Sequence, residues 1–172
     1  AKILGYSYLK DCNIGPKSVI QHFCYLEGLT CDENCTIGPF ARVRPVTTFN
    51  EGVKVGNFVE IKNSLLSANV KSNHLSYIGD STIGENTNIG AGVITCNFDG
   101  FKKHATRIGK NCLIGANANL IAPIELGDNI IVGAGSTVTK NVPSGSLAVE
   151  RAELKMIPKG FQAYCEKKGG SL

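Results

Sequence analysis

From residue 108 to residue 138 a branched aliphatic recurs at every sixth position: Ile108, Ile114, Leu120, Leu126, Val132 and Val138. Four residues after each of the first five stand Cys112, Ala118, Ile124, Ile130 and Ser136, all small or aliphatic. Gly109, Gly115, Gly127 and Gly133 follow four of the sixth-position residues. A helix repeats every 3.6 residues and a free strand every 2, so a strict period of six belongs to neither alone. It is the mark of hexapeptide repeats, in which three hexads close one triangular coil of about 18 residues. Coils stack at the inter-strand spacing of about 4.8 Å, with the sixth-position residues pointing inward.

The same register runs through Ile37, Val43, Phe49, Val55 and Ile61, with Ala41, Thr47, Val53, Val59 and Leu65 as companions. It is looser before residue 36, where Ile14 and Ile20 keep the spacing. It slips between 62 and 77 and breaks at TCNFDGFKKHATR, residues 95–107. That segment is expected to project as a loop turning at Asp99-Gly100. The repeat ends at NVPSGSLAV, residues 141–149. The pattern predicts an all-β parallel β-helix over 1–149 and a tail with a short helix over 150–172. The last six residues, KKGGSL, are expected to be disordered.

Composition fits a narrow core with many turns: 20 glycines and no tryptophan in 172 residues. A net charge of +4, spread along the chain, suits small anions better than nucleic acid. No apolar run reaches the roughly 20 residues of a membrane span, and no secretory signal opens the chain. Seven cysteines in no compact framework read as reduced thiols, hence a cytoplasmic protein. Cys31, Cys35 and His22 match no common zinc spacing. Flat outer faces, with Phe58, Tyr77, Phe98 and Phe101 off the inward register, point to a homo-oligomer; cover by loops is the alternative.

Candidate chemistry sits where the repeat is least regular. Arg44 follows Val43 and Lys62 follows Ile61, so the two cations are 18 apart and stack on adjacent coils. A phosphate between them would relieve their repulsion; two solvated charges are the alternative. His74 lies in the slipped stretch and has the right acidity for a general base; an ordinary surface histidine is the alternative. Glu60 is a carboxylate available to orient its ring. Asn97, Asp99, Lys102, Lys103 and His104 give the projecting loop a polar, basic character suited to an anionic ligand; a solvated hairpin tip is the alternative. His22, His74 and His104 are too far apart in the coil order to share a metal. GxSxG and dinucleotide fingerprints are absent.

CTIGPFARVRP (35–45), VGNFVEIK (55–62), HLSYIGD (74–80), NIGAGVITCNFDG (88–100) and IVGAGSTVTK (131–140) closely resemble one family. It is the acetyltransferase half of the bifunctional glucosamine-1-phosphate N-acetyltransferase / N-acetylglucosamine-1-phosphate uridyltransferase. The resemblance implies a left-handed coil and a homotrimer with sites at subunit boundaries. It implies acetyl transfer from acetyl-CoA to glucosamine-1-phosphate, feeding UDP-N-acetylglucosamine, peptidoglycan and lipopolysaccharide. No metal is implied here, since magnesium belongs to the uridyltransferase half.

Residue by residue, the resemblance makes His74 the base. Arg44, Lys62, Tyr77, Asn88 and Lys103 become contacts to the sugar phosphate. Ala91, Asn97, Phe98, Ala116, Ala134 and Arg151 would line acetyl-CoA, with Asn97 also near the amine. Phe98 and Ala116 stand where the family commonly has tyrosine and serine, which removes two hydroxyls near the thioester.

Overall fold

The computed structural model describes residues 1–169, and the chain winds into a β-solenoid of about nine coils. Three parallel sheets form the sides, nine-, eight- and seven-stranded. The first face runs from Lys2–Ile3 to Leu147–Ala148, the second from Tyr8–Lys10 to Thr137–Val138, and the third from Asn13–Ile14 to Ile124–Leu126. This is the hexapeptide β-helix expected from the period of six, with the left-handed coil that the family resemblance implies.

Each strand hydrogen-bonds to the strand one coil below and one coil above, so the period becomes a set of columns. Ile37 pairs with Val55 and Ile20, and Ile61 pairs with Val43 and Ile78. Sixth-position residues and their companions are buried, among them Ile114, Ala118, Leu120, Ile124, Ile130 and Val132. Burying each large aliphatic contributes about 1.5–3 kcal/mol. The narrow prism has room for one such layer per coil.

One companion differs from expectation. Leu66 is fully buried, whereas Leu65 is exposed. Residues 60 to 66 lose one position, so Leu66 aligns with Phe49 and takes the inward place. The coil is 17 residues long there rather than 18.

The three edges of the prism are turns, most of which have a central residue with positive φ. On the edge between third and first faces this residue is most often asparagine: Asn34, Asn69, Asn86, Asn111 and Asn129. Asparagine tolerates the left-handed region better than other side chains. Here it also donates from Nδ2 to the Oδ1 of the asparagine one coil on: Asn69 to Asn86 at 3.3 Å, Asn86 to Asn111 at 3.3 Å, Asn111 to Asn129 at 3.2 Å. The edge between first and second faces is instead held by Tyr6, Phe23, Phe40, Phe58 and Leu75, all at positive φ. The four rings stack along the axis, with centroids 5.4, 5.1 and 5.3 Å apart, and remain exposed.

The irregular segment is a hairpin between the strands Ile94–Cys96 and Thr106–Ile108. Coil pairing passes it without a break: Ile94 pairs with Asn119, and Ser81 with Thr106. After Leu147–Ala148 the chain runs irregularly to helix α1 (Gly160–Lys168), which buries no residue. Lys167 and Lys168, expected to be disordered, form its last turn and complement the helix dipole. Gly169, also in that expectation, caps the helix, and Gly170 to Leu172 lie outside the described residues.

Candidate active site

Two groups of predicted residues lie on opposite edges of the second face. His74 ends the strand Lys71–His74, just before the Leu75 turn. Its Nδ1 is 3.0 Å from the Asn57 side-chain oxygen, one coil below. Above His74 in the same column stand Ala91, Ala116 and Ala134. Gly92 donates its N–H to the His74 carbonyl, Asn117 to Ala91 and Gly135 to Ala116. Gly90, Gly115 and Gly133 precede these alanines, and a side chain on Gly90 would lie 2.6 Å from the Ala116 nitrogen. The column is therefore a shallow, small-residue track with backbone close to the surface. At its top, Arg151 folds over Gly133, with Nη2 3.5 Å from where a side chain would begin. Asn88 lies on the adjacent first face, half-buried between Lys71 and Leu113.

The second group begins with Arg44 and Lys62, which pair in register on the second face, followed by Gly79. The stacking read from their spacing is thus present. Glu60 lies between two guanidinium groups, 3.2 Å from Arg44 Nη1 and 3.6 Å from Arg42 Nη1. It braces Arg44, while the His74 ring, around the Leu75 turn, is held by Asn57. Both guanidinium groups are half exposed, so the pairs orient the cations and add little stability.

One coil higher, Asn97 is buried, with 4% of its surface exposed. Its Nδ2 donates to Asp80 Oδ2 at 2.5 Å and lies 3.4 Å from the Tyr77 hydroxyl. The three meet above Gly79, where a Cβ would come within 2.5 Å of Asn97 Nδ2 and 2.6 Å of the Tyr77 hydroxyl. Only a glycine leaves that space.

The hairpin starts at Asn97, whose carbonyl accepts the His104 N–H. Asp99 accepts from the N–H groups of Phe101 and Lys102, both at 2.8 Å, and His104 Nε2 lies 2.6 Å from its other oxygen. These contacts, His104 first, hold the Asp99 carboxyl well below the usual carboxylate range. Lys103 Nζ sits 4.5 Å above the centre of the Phe98 ring.

His74 and Asn97 are not neighbours within one chain. The Asp80 turn is five steps along the chain from the Leu75 turn, about 16 Å at a strand rise of about 3.3 Å per residue. His74, Ala91, Ala116 and Ala134 form one edge. Arg44, Lys62, Tyr77, Asn97, Phe98 and Lys103 form the other. Asn57, Asn63, Gly79 and Asp80 escaped the sequence reading. A signal for two of them was present: Asn57 precedes His74, and Asp80 precedes Asn97, by one 17-residue coil. Among the described residues no group of three His, Cys, Asp or Glu is placed to hold a metal ion.

Residues 105–140 match the family model "Hexapeptide repeat of succinyl-transferase". The bifunctional protein GlmU of Stenotrophomonas maltophilia (strain K279a) is 48% identical over 88% of this chain and 33% of its own length. That of Heliobacterium modesticaldum is 52% identical over 85% of this chain and 32% of its own. The chain therefore spans about a third of the length of the curated relatives it matches. Among solved structures, the acetyltransferase domain of PglB from Neisseria gonorrhoeae, in complex with acetyl coenzyme A, has the same fold. It superposes with a TM-score of 0.62 at 23% identity, over 68% of this chain and 55% of that one. A second, an acetyltransferase-like protein from Desulfovibrio desulfuricans, gives a TM-score of 0.52 at 12% identity, over 86% of this chain and 56% of that one. The motifs, the coil and the relatives converge on one similarity: this chain carries hexapeptide repeats and matches about one third of the bifunctional GlmU proteins over most of its own length.

Proposed function

We propose that the chain transfers acetyl from acetyl-CoA to the amine of glucosamine-1-phosphate, in the cytoplasm, as a homotrimer. The observation that carries this reading is Arg44 stacked in register on Lys62, on an edge shared with Tyr77 and the buried Asn97. Two cations one coil apart match a sugar phosphate. The relatives' family supplies the rest of the substrate pair.

The separation of the two edges supports a site shared between two subunits. The His74 edge of one protomer faces the Arg44–Asn97 edge of its neighbour, and acetyl-CoA lies along the alanine column between them. The exposed ring stack beside His74 supports burial of that edge in the trimer. Lys103, on the hairpin, then reaches the phosphate, and Arg151 closes the top of the cofactor track.

In the reaction the amine nitrogen attacks the thioester carbonyl carbon. His74 Nε2 takes the proton released from nitrogen, while its Nδ1–H donates to Asn57. The carbon–sulfur bond breaks, and the coenzyme A thiolate leaves and takes the proton back from His74. No acyl-enzyme forms, and holding both substrates together supplies much of the acceleration. The test is thiol release from acetyl-CoA with a panel of acceptors. Release that depends on glucosamine-1-phosphate supports the reading; release only with a UDP-sugar or serine, or with none, defeats it.

A further inference from the structure

We propose that Asp80 is a positioning residue that locks the Asn97 amide with its Oδ1 toward the reacting amine. This rests on the acetyl-transfer reading for its consequence, though not for its geometry. Asp80 occupies the edge between the second and third faces at positive φ, 51°. Its Oδ1 accepts from Asn63 Nδ2 at 2.6 Å and its Oδ2 from Asn97 Nδ2 at 2.5 Å. Its backbone is fixed as well: its N–H donates to the Lys62 carbonyl and its carbonyl accepts from Thr106. Asp80 thus ties the cation-bearing strand to the strand that leaves the hairpin.

The asparagine edge of the same molecule shows what an amide does in such a stack. Asn69, Asn86, Asn111 and Asn129 run head to tail, each of the first three giving its NH₂ to the next oxygen. An ionised carboxylate only accepts. Asp80 therefore reverses that order: the amides below and above it must both turn their NH₂ groups toward it. For Asn97 this leaves Oδ1 turned away from Asp80, without a hydrogen-bond partner among the described residues and not fully buried.

The sign of that exposed atom matters to the chemistry. An acceptor there holds an N–H of the amine and leaves the nitrogen lone pair aimed at the thioester carbonyl. A donor there would bind the lone pair that must attack. Positive charge grows on nitrogen during attack, and a fixed acceptor dipole stabilises it.

Asp80→Asn is the informative change. Asparagine suits positive φ, so the turn survives. The head-to-tail order is restored, which swings the Asn97 NH₂ outward. The full chain is assayed by thiol release with acetyl-CoA and glucosamine-1-phosphate. We expect kcat to fall by about tenfold or more while KM for acetyl-CoA stays within about twofold and Tm within about 2 °C. Adding Asp80→Asn to Asn97→Ala should cost nothing further, since the two act as one unit.

An unchanged kcat, or losses that add in the double variant, would overturn the proposal. A readout free of catalysis accompanies it: the Asn97 side-chain NH₂ protons should be protected from exchange in the unmodified protein and exposed in Asp80→Asn. Solvent-rate exchange in the unmodified protein overturns it without any variant. If the unmodified chain releases no thiol with glucosamine-1-phosphate, the acetyl-transfer reading falls, and the exchange measurement still decides the role of Asp80.

Discussion

His74 Nδ1 and the side-chain oxygen of Asn57 lie 3.0 Å apart, on adjacent coils at one edge of the prism. The contact places the ring proton on Nδ1 and leaves Nε2 free to accept. Asn57→Ala frees the ring and the tautomer. We expect kcat to drop by roughly tenfold with KM for both substrates little changed, measured by initial rates.

Removing the ring itself has a larger effect. His74→Ala should lower kcat by about 10²- to 10⁴-fold, the usual worth of a general base, with substrate binding retained. Near-normal turnover would take His74 out of the mechanism.

A site divided between subunits predicts rescue. His74→Ala and Asn97→Ala should each turn over slowly, though measurably, when assayed alone. Subunits of the two, unfolded and refolded together, form mixed trimers in which some sites receive His74 from one chain and Asn97 from another. Random mixing restores about a quarter of the sites. If no activity returns, the two residues serve one chain's site, or different ones.

The period of six located the core rows almost completely, because parallel stacking copies a side chain's direction from coil to coil. It failed at Leu65, where one residue is lost and the neighbouring leucine turns inward. The stack of Arg44 on Lys62 was equally legible, being coil arithmetic. The division of the site was not. Assigning an edge requires knowing where the turns fall, and one edge carries Tyr6, Phe23, Phe40, Phe58 and Leu75 in a backbone conformation such side chains rarely adopt. Nothing in their local propensity marks them as turns. Asp80 was hidden for a related reason: it resembles a solvated corner residue until Asn97 is folded against it.

Arg44→Ala should raise KM for the sugar phosphate by roughly ten- to hundredfold, as expected for losing a charge-assisted contact, and leave KM for acetyl-CoA unchanged. Glu60→Gln should give a smaller rise, because it only braces the guanidinium. Steady-state kinetics with both substrates varied separates the two effects.

The hairpin's tip is held by Asp99. Its carboxyl is depressed in the folded protein, so the contribution is fully present above the ordinary carboxylate range and is lost as pH falls through the lower folded value. The tip should stay ordered well into acid, and Asp99→Asn should remove that resistance. Amide exchange at Phe101 and Lys102 across pH reads this directly.

Gly90→Ala should be costly out of proportion to one methyl group. The new carbon would meet the Ala116 nitrogen at 2.6 Å and the Ile114 carbonyl oxygen at 2.7 Å, both backbone atoms of the next coil. We expect about 3 kcal/mol of destabilisation, a Tm lower by roughly 5–10 °C.

The unbroken pairing across the hairpin has an evolutionary reading. Ile94 meets Asn119 and Ser81 meets Thr106 whatever lies between Cys96 and Thr106. Length and sequence in that excursion are therefore decoupled from the integrity of the prism. A lineage, or an engineer, can exchange this one cassette and retune which acceptor is held, while the scaffold and its cofactor track are inherited intact.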